Sequence, residues 1–382
     1  MFDEKRGMNG MKKSGIIVAL MIMILAAALA GCVQPEQKPV IKIGAILPLT
    51  GDAASYGINA QNGIILESEE VNAQGGINGQ NLSIIFEDSA AQPAQAVTAA
   101  QKLIGVDNVV AIIGDVASSP TLAIAPIANQ NQIIVVSPAA SSPNLSSAGP
   151  YFYRVWPSDT FEADCMADYI NRTGINSMSL LYVNNDYGSA MAQEVKKSVG
   201  NSSIIISEEN FNQGTTDVRA QFTKIKAANP QYLYLISYTQ DTITILKQYK
   251  ELGLTSKLLS TSTFEDPLIL QQVGDVAEGT VYTFPIPPSA TDPVVSAFKA
   301  NYTARFGTAP GLLSDYGYDS LLVIVESMKL SNDTSKVGVY NGIHMIKNLH
   351  GATGLINFNG GDVIKPSGMK TVKGGQFVWL EQ

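Results

Sequence analysis

Ser118 and Ser119 close the loop DVASS, and Ser141 and Ser142 close a second loop, PAASS. Each loop follows a short apolar run, VVAIIG or IIVVS, and a Pro-initiated amphipathic segment lies between them. The pattern reads strand, loop, helix, strand, loop. The first loop delivers Ser118 and Ser119 to a helix start, with Pro120 where the missing N–H costs nothing. A helix N-terminus offers unpaired N–H groups and about half a positive charge, so it attracts carboxylates and phosphates. In an open α/β sheet, ligands sit beyond the carboxyl ends of the strands, where both loops lie. The chemistry within reach is anion capture. Serine and alanine also suit tight βα loops that bind nothing, and the loops alone leave both readings open.

Other chemistry finds little support. His344 and His350 stand near a helix end with no cysteine cluster beside them, so no metal pattern forms. G-x-S-x-G, the Walker A loop and G-x-G-x-x-G do not occur, which removes common nucleophile and nucleotide signatures. No acidic pair has recognisable partners for acid–base work, so an enzyme is the minority reading and no cofactor is implied. A net charge of −8 argues against nucleic acid, which needs a basic footprint, and against electrostatic docking on anionic lipid.

The elements that position the two loops follow from the rest of the chain. Its 382 residues suffice for two domains. Lys12 and Lys13 precede an apolar run, Gly15 to Ala28, and then Leu29-Ala30-Gly31-Cys32. That is the layout of a secretory signal, shorter than the ~20 residues of a spanning helix. Val33 to Pro39 reads as a polar tether. From Val40 onward strands and amphipathic helices alternate, which implies an α/β fold with parallel, doubly wound sheets. The first helix is expected to bury Ile58, Ile64, Ile65 and Val71. Cys165, with Phe161 and Tyr169 at four-residue spacing, reads as a buried helix residue. The chain is expected to leave the first lobe near Trp156-Pro157, return near Pro285 to Pro288, and cross a third time near Gly354 to Asn359. Gly374-Gly375 reads as a hairpin turn near the end.

Taken together, IKIGAILPLTGDAASYG, EEVNAQGGINGQ, VVAIIGDVASS, IIVVSPAAS and DYGYDSL resemble the extracytoplasmic solute-binding proteins of the leucine/isoleucine/valine-binding type. The resemblance runs from Val40 to Gln382. It implies two Rossmann-like lobes joined by three crossovers, closing like a hinge over a small ligand that an ATP-driven (ABC) permease then imports. The boundaries expected on this basis are 1–32 for the signal, 33–39 for the tether, 40–157 with 286–355 for lobe 1, and 158–285 with 356–382 for lobe 2. Leu-Ala-Gly-Cys resembles a lipobox, in which Cys32 would carry the lipid that anchors the protein to a membrane. An uncleaved N-terminal anchor is the alternative, and both place the body outside the cytoplasm.

The resemblance gives the ligand carboxylate to Ser118, with neighbouring Ser119, and to Ala139 and Ser141. It lines the cleft with Tyr56, Tyr187 and Tyr238, each of which follows a strand end. One departure stands out. Amino-acid binders of this type carry an acidic residue after the strand that here ends at Ser260, and Ser262 takes that position. A hydroxyl cannot neutralise a buried ammonium. Either Asp241 or Glu265 substitutes, or the ligand is an amide or an amine-free acid. A sensor without transport and, more remotely, a surface hydrolase are the other functions compatible with the sequence.

Overall fold

The computed structural model describes residues 40–380. The signal segment, Cys32 and the tether lie outside the described residues. Among the described residues no helix is long and apolar enough to cross a membrane.

The first lobe opens with β1 (Ile41–Leu47), α1 (Ala54–Ala73), β2 (Leu82–Asp88), α2 (Pro93–Lys102), β3 (Ala111–Gly114), α3 (Ser118–Gln130), β4 (Ile134–Ser137) and β5 (Phe152–Arg154). The second runs through α4 (Asp159–Thr173), β6 (Met178–Val183), α5 (Asp186–Val199), β7 (Ile205–Phe211), α6 (Arg219–Ala228), β8 (Tyr232–Ile236), α7 (Thr239–Glu251), β9 (Lys257–Ser260), α8 (Pro267–Val273) and β10 (Val281–Pro285). The chain returns to the first lobe for α9 (Pro293–Phe306), α10 (Ser314–Ser331) and α11 (Lys336–Ile343), then the ribbon β11 (Leu349–Gly351) and β12 (Gly354–Ile356). It finishes with β13 (Phe358–Asn359), β14 (Asp362–Val363), β15 (Ser367–Lys373) and β16 (Gln376–Trp379).

The sheet orders are β13-β14-β5-β4-β3-β1-β2 and β16-β15-β10-β9-β8-β6-β7. Strands β1 to β5 pair in parallel, as do β6 to β10 in the second sheet. Central strands covered by helices on both faces must be apolar throughout, and β3 and β4 are fully buried. Edge strand β7 instead alternates between exposed and half-buried residues.

The third crossover differs from the expectation. Asp362 pairs with Arg154, and Phe358 and Asn359 pair with β14, so residues 358–363 belong to the first sheet. The chain crosses only at 364–366. The Gly-rich segment at 354–360 read as a connector because turn residues mark both connectors and tight ribbons. The second lobe then gains β15 and β16, antiparallel around Gly374 and Gly375, both at positive φ.

Helix α1 also packs otherwise than its apolar spacing suggested. Ile64 and Val71 are buried and Ile65 half-buried, but Ile58 is 44% exposed, and Gly57, Ala60 and Gly63 are buried too. A Cβ on Gly63 would lie 1.8 Å from the Ser314 carbonyl oxygen, and one on Gly317 would lie 2.2 Å from that of Ala60. Small residues let α1 and α10 approach backbone to backbone, which fixes the loop just before Ser314. Along α4, Phe161 is exposed and Cys165 only half-buried, with its Sγ 3.6 Å from the sulfur of Met369.

Candidate functional site

The two serine loops are latched to each other before any ligand arrives. The Asp115 carboxylate accepts the Ala117 N–H at 2.7 Å and the Ser89 hydroxyl. Burial pushes this carboxyl up to about 7. Ser137 Oγ donates to the Asp115 carbonyl at 2.6 Å and accepts the Ala140 N–H at 2.8 Å, so β3 and β4 end in one hydrogen-bonded unit. Helix α3 starts at Ser118, and its cap residue Ala117 makes no side-chain cap. The first N–H groups are thus left for another acceptor. Ser118 Oγ accepts the Ser142 N–H at 3.2 Å, which leaves its own proton free to donate.

The opposite wall comes from the second lobe. Asn185 caps α5 by accepting the N–H groups of Tyr187 and Gly188 at 3.1 and 3.0 Å, and this sets the Tyr187 ring at the strand end. Tyr187 stacks on Tyr238 with centroids 5.4 Å apart, and Tyr56 of the first lobe meets Tyr238 edge-on at 6.4 Å. The Tyr187 hydroxyl is 2.7 Å from Thr261 Oγ1. Burial makes all three phenols weaker acids, raising their pKa above the ordinary value, so they act as neutral hydrogen-bonding rings.

The lobes are closed. Tyr56 donates to the Thr263 carbonyl at 3.0 Å and accepts from Thr239 Oγ1 at 2.7 Å. Ser55 Oγ donates to Asp266 at 2.9 Å, and Ser119 Oγ accepts the Asp186 N–H at 3.0 Å. Between the lobes, Tyr56, Ser118, Ala139, Ser141, Tyr187, Tyr238 and Ser262 surround one cavity. It leaves about 50 Å³ for the centre of a water-sized sphere, against the ~10–15 Å³ that one water needs. No lysine, arginine, aspartate or glutamate lines it.

Three expected residues lie elsewhere. Ser119 is spent on the contact between lobes. Asp241 turns to the cleft edge, where it accepts the N–H groups of Gly214 at 3.0 Å and Thr215 at 3.2 Å. Burial, and then the charge of Asp52, pushes its carboxyl up to about 7. Glu265 is held by Lys370 and the Tyr282 hydroxyl, outside the cavity. Neither acid can substitute at Ser262 in this arrangement. Both were attractive in sequence because they follow strand ends, but the turn at each end aims them at other partners away from the cavity.

The cavity also takes residues that the sequence reading missed: Ala53, Val116, Ala117, Trp156, Thr263, Leu312 and Leu313. Trp156 sits on the first crossover, against Tyr316 at 4.6 Å and edge-on to Phe284 at 5.9 Å. Leu313 holds φ +73 ahead of α10, a conformation imposed by the close α1–α10 contact. Behind the wall stand two carboxylates of α4. Glu162 accepts the Ser262 N–H at 2.6 Å, the Ser262 hydroxyl at 2.9 Å and the Thr283 hydroxyl at 2.5 Å. Asp159, whose N–H donates to the Ser141 carbonyl at 2.9 Å, turns its carboxyl toward the Ser141 hydroxyl and pairs with no other side chain among the described residues. Burial and then the Glu162 charge hold the Asp159 carboxyl well above its usual range. The stretch Trp156-Pro157-Ser158-Asp159 was legible as a crossing, and that was the available signal for both.

The sequence profile of the periplasmic binding protein family matches residues 40–373. The leucine-, isoleucine-, valine-, threonine- and alanine-binding protein of Pseudomonas aeruginosa is 28% identical over 315 residues, which is 81% of this chain and 84% of that protein. The Leu/Ile/Val-binding protein of Escherichia coli is 27% identical over 72% of this chain and 77% of its own. Among solved structures, a leucine-binding protein of Thermotoga maritima superposes with a TM-score of 0.83 at 27% identity, covering 90% of this chain and 98% of that one. A solute-binding protein of Rhodopseudomonas palustris solved with benzoate shares the fold, at a TM-score of 0.81, 19% identity, and coverage of 90% and 96%. This chain therefore belongs to the periplasmic binding protein family, in its type I, Leu/Ile/Val-binding-like branch.

Proposed function

We propose that this protein captures a small neutral amino acid, of branched-chain size, between its lobes outside the cytoplasm. It then delivers the ligand to an ABC-type permease, held at the membrane by lipid on Cys32. The observation that carries the reading is the pair of latched serine loops, which present unspent hydroxyl and N–H donors to a closed, cation-free cavity. A buried carboxylate tolerates the loss of water only when such donors surround it. The tyrosine wall and the leucines suit an aliphatic side chain. Asp159, buried against the Ser141 loop, supports an ammonium beside that carboxylate, since an α-amino acid carries both groups on one carbon. The substrates of the Pseudomonas aeruginosa and Escherichia coli relatives point the same way.

An amine-free acid or an amide is the second reading. It is favoured by Ser262, which gives both its donors to Glu162 and leaves no carboxylate on the cavity surface. Calorimetric titration of the full-length protein with leucine, isoleucine, valine and alanine, against 4-methylpentanoate, benzoate and leucinamide, separates the two. Micromolar or tighter binding of the amino acids alone supports the first reading. Binding of the amine-free acids alone overturns it in favour of the second.

A further inference from the structure

Arg154 is among the largest fully buried side chains of the described residues. Its guanidinium spends its donors in four directions. Nε donates to Asp362 Oδ1 at 2.7 Å. Nη1 donates to the carbonyls of Ala140 at 3.2 Å and Ser142 at 2.9 Å, and Nη2 donates to Ser146 Oγ at 2.9 Å. The two carbonyls bracket Ser141. In a trans peptide the C=O of one residue and the N–H of the next point in opposite directions. With the Ala140 carbonyl fixed on Arg154, the Ser141 N–H must aim away from the guanidinium. It makes no hydrogen bond among the described residues, and Ser141 itself lines the cavity.

The same side chain reaches the hinge. Arg154 ends β5, one residue before the first crossover, and Asp362 lies on β14, just before the third. Their main chains also meet, through the Arg154 N–H and the Gly361 carbonyl at 2.9 Å. A buried ion pair is weak evidence for stability, since apolar residues of like volume serve as well. A fork of five donors, by contrast, holds several carbonyls in fixed directions, as lysine cannot.

We propose that Arg154, tied to Asp362, is the positioning residue of the anion loop. From behind, and without touching the ligand, it aims the Ser141 N–H into the cavity and links that loop to the first and third crossovers. This rests on the carboxylate-binding reading above, and its test is chosen to fail separately. The first measurement needs no ligand: hydrogen–deuterium exchange of the full-length protein and of R154K, D362A and D362E. Exchange in segment 138–146 is expected to rise at least tenfold in R154K and D362A, with β1 and β3 unchanged and with D362E restoring protection. Asp362 is 21% exposed on its side chain, so D362A provides the test if R154K does not fold. The second measurement is the preference for leucine over leucinamide, expected to fall at least tenfold in R154K and D362A. Unchanged exchange in the loop, or an equal rise across the whole first sheet, overturns the proposal. If the wild-type protein binds neither probe, the ligand reading fails and the exchange result still decides the role of Arg154.

Discussion

The two walls of the cavity differ in what they leave unspent. On the first lobe, the loops after β3 and β4 satisfy each other through Ser137, Asp115, Ser118 and Ser142, and what remains over is donors. On the second lobe, hydroxyls are consumed by neighbours, Tyr187 with Thr261 and Ser262 with Glu162, and what remains over is the acceptor pair of Asp159. Donors with an acceptor close beside them describe a ligand whose two charges lie next to each other, as on the α-carbon of an amino acid. The donor wall is assembled within one sheet and stands ready. The acceptor lies behind the wall with its carboxyl pushed up by burial and by the Glu162 charge, so a positive partner would favour its ionised form.

Breaking the donor wall should have the largest effect. Ser118→Ala with Ser141→Ala removes two hydrogen bonds to a charged group, each worth roughly 1.5–3 kcal/mol. Titration calorimetry should then show at least a hundredfold loss for carboxylate ligands in a protein that melts normally. Retained affinity would move the carboxylate to another wall.

The acceptor wall is tested by Asp159→Asn. Amino-acid affinity should fall at least tenfold, while amine-free acids bind as well or better. The raised pKa adds a signature. An ammonium beside Asp159 favours its ionised form, so amino-acid binding to the wild type should release a proton that D159N does not release. Titrations in buffers of different ionisation enthalpy read this directly, and equal release from both proteins would clear Asp159 of the role.

Next comes the wall that neither loop supplies. Gly63→Ala forces a Cβ against the Ser314 carbonyl, and overpacking of this kind costs about 1–3 kcal/mol. The melting temperature should drop, and the apparent size preference among alanine, valine and leucine should change with it, because Leu313 moves. A drop in stability with the preference intact would separate the helix contact from the cavity.

The smallest effect concerns Asp241 at the cleft edge. Its carboxyl is raised to about 7, so the folded form holds a proton that the unfolded chain gives up near 4. Stability from this group is therefore full in acid and falls as pH rises between about 4 and 7. Asp241→Asn should leave the melting temperature unchanged at pH 4 and raise it by a few degrees at pH 8. A gain confined to acid pH would contradict the sign.

The legible part of this protein was periodic or local. Apolar runs closed by small polar loops placed β1, β3, β4, β8 and β9, and of the ten residues expected from the loops and the family resemblance seven lie around the cavity. Local rules failed where a residue's direction depends on its turn. Asp241 and Glu265 follow strand ends as Tyr238 and Ser262 do, yet turn to other partners away from the cavity. Periodicity placed Ile64 and Val71 of α1 inside but missed Ile58, because the close contact goes to glycines and alanine that carry no apolar signal.

By itself the sequence determined the α/β alternation, the two lobes and the donor loops, because each is written in residues close together along the chain. Only the tertiary structure decided the rest of the cavity. Trp156 and Leu313 come from a crossover and a helix start far apart in sequence, and behind the wall Glu162 reaches Ser262 across 100 positions. Such neighbours are set by how sheets and helices pack in three dimensions, and no spacing rule along one chain encodes that.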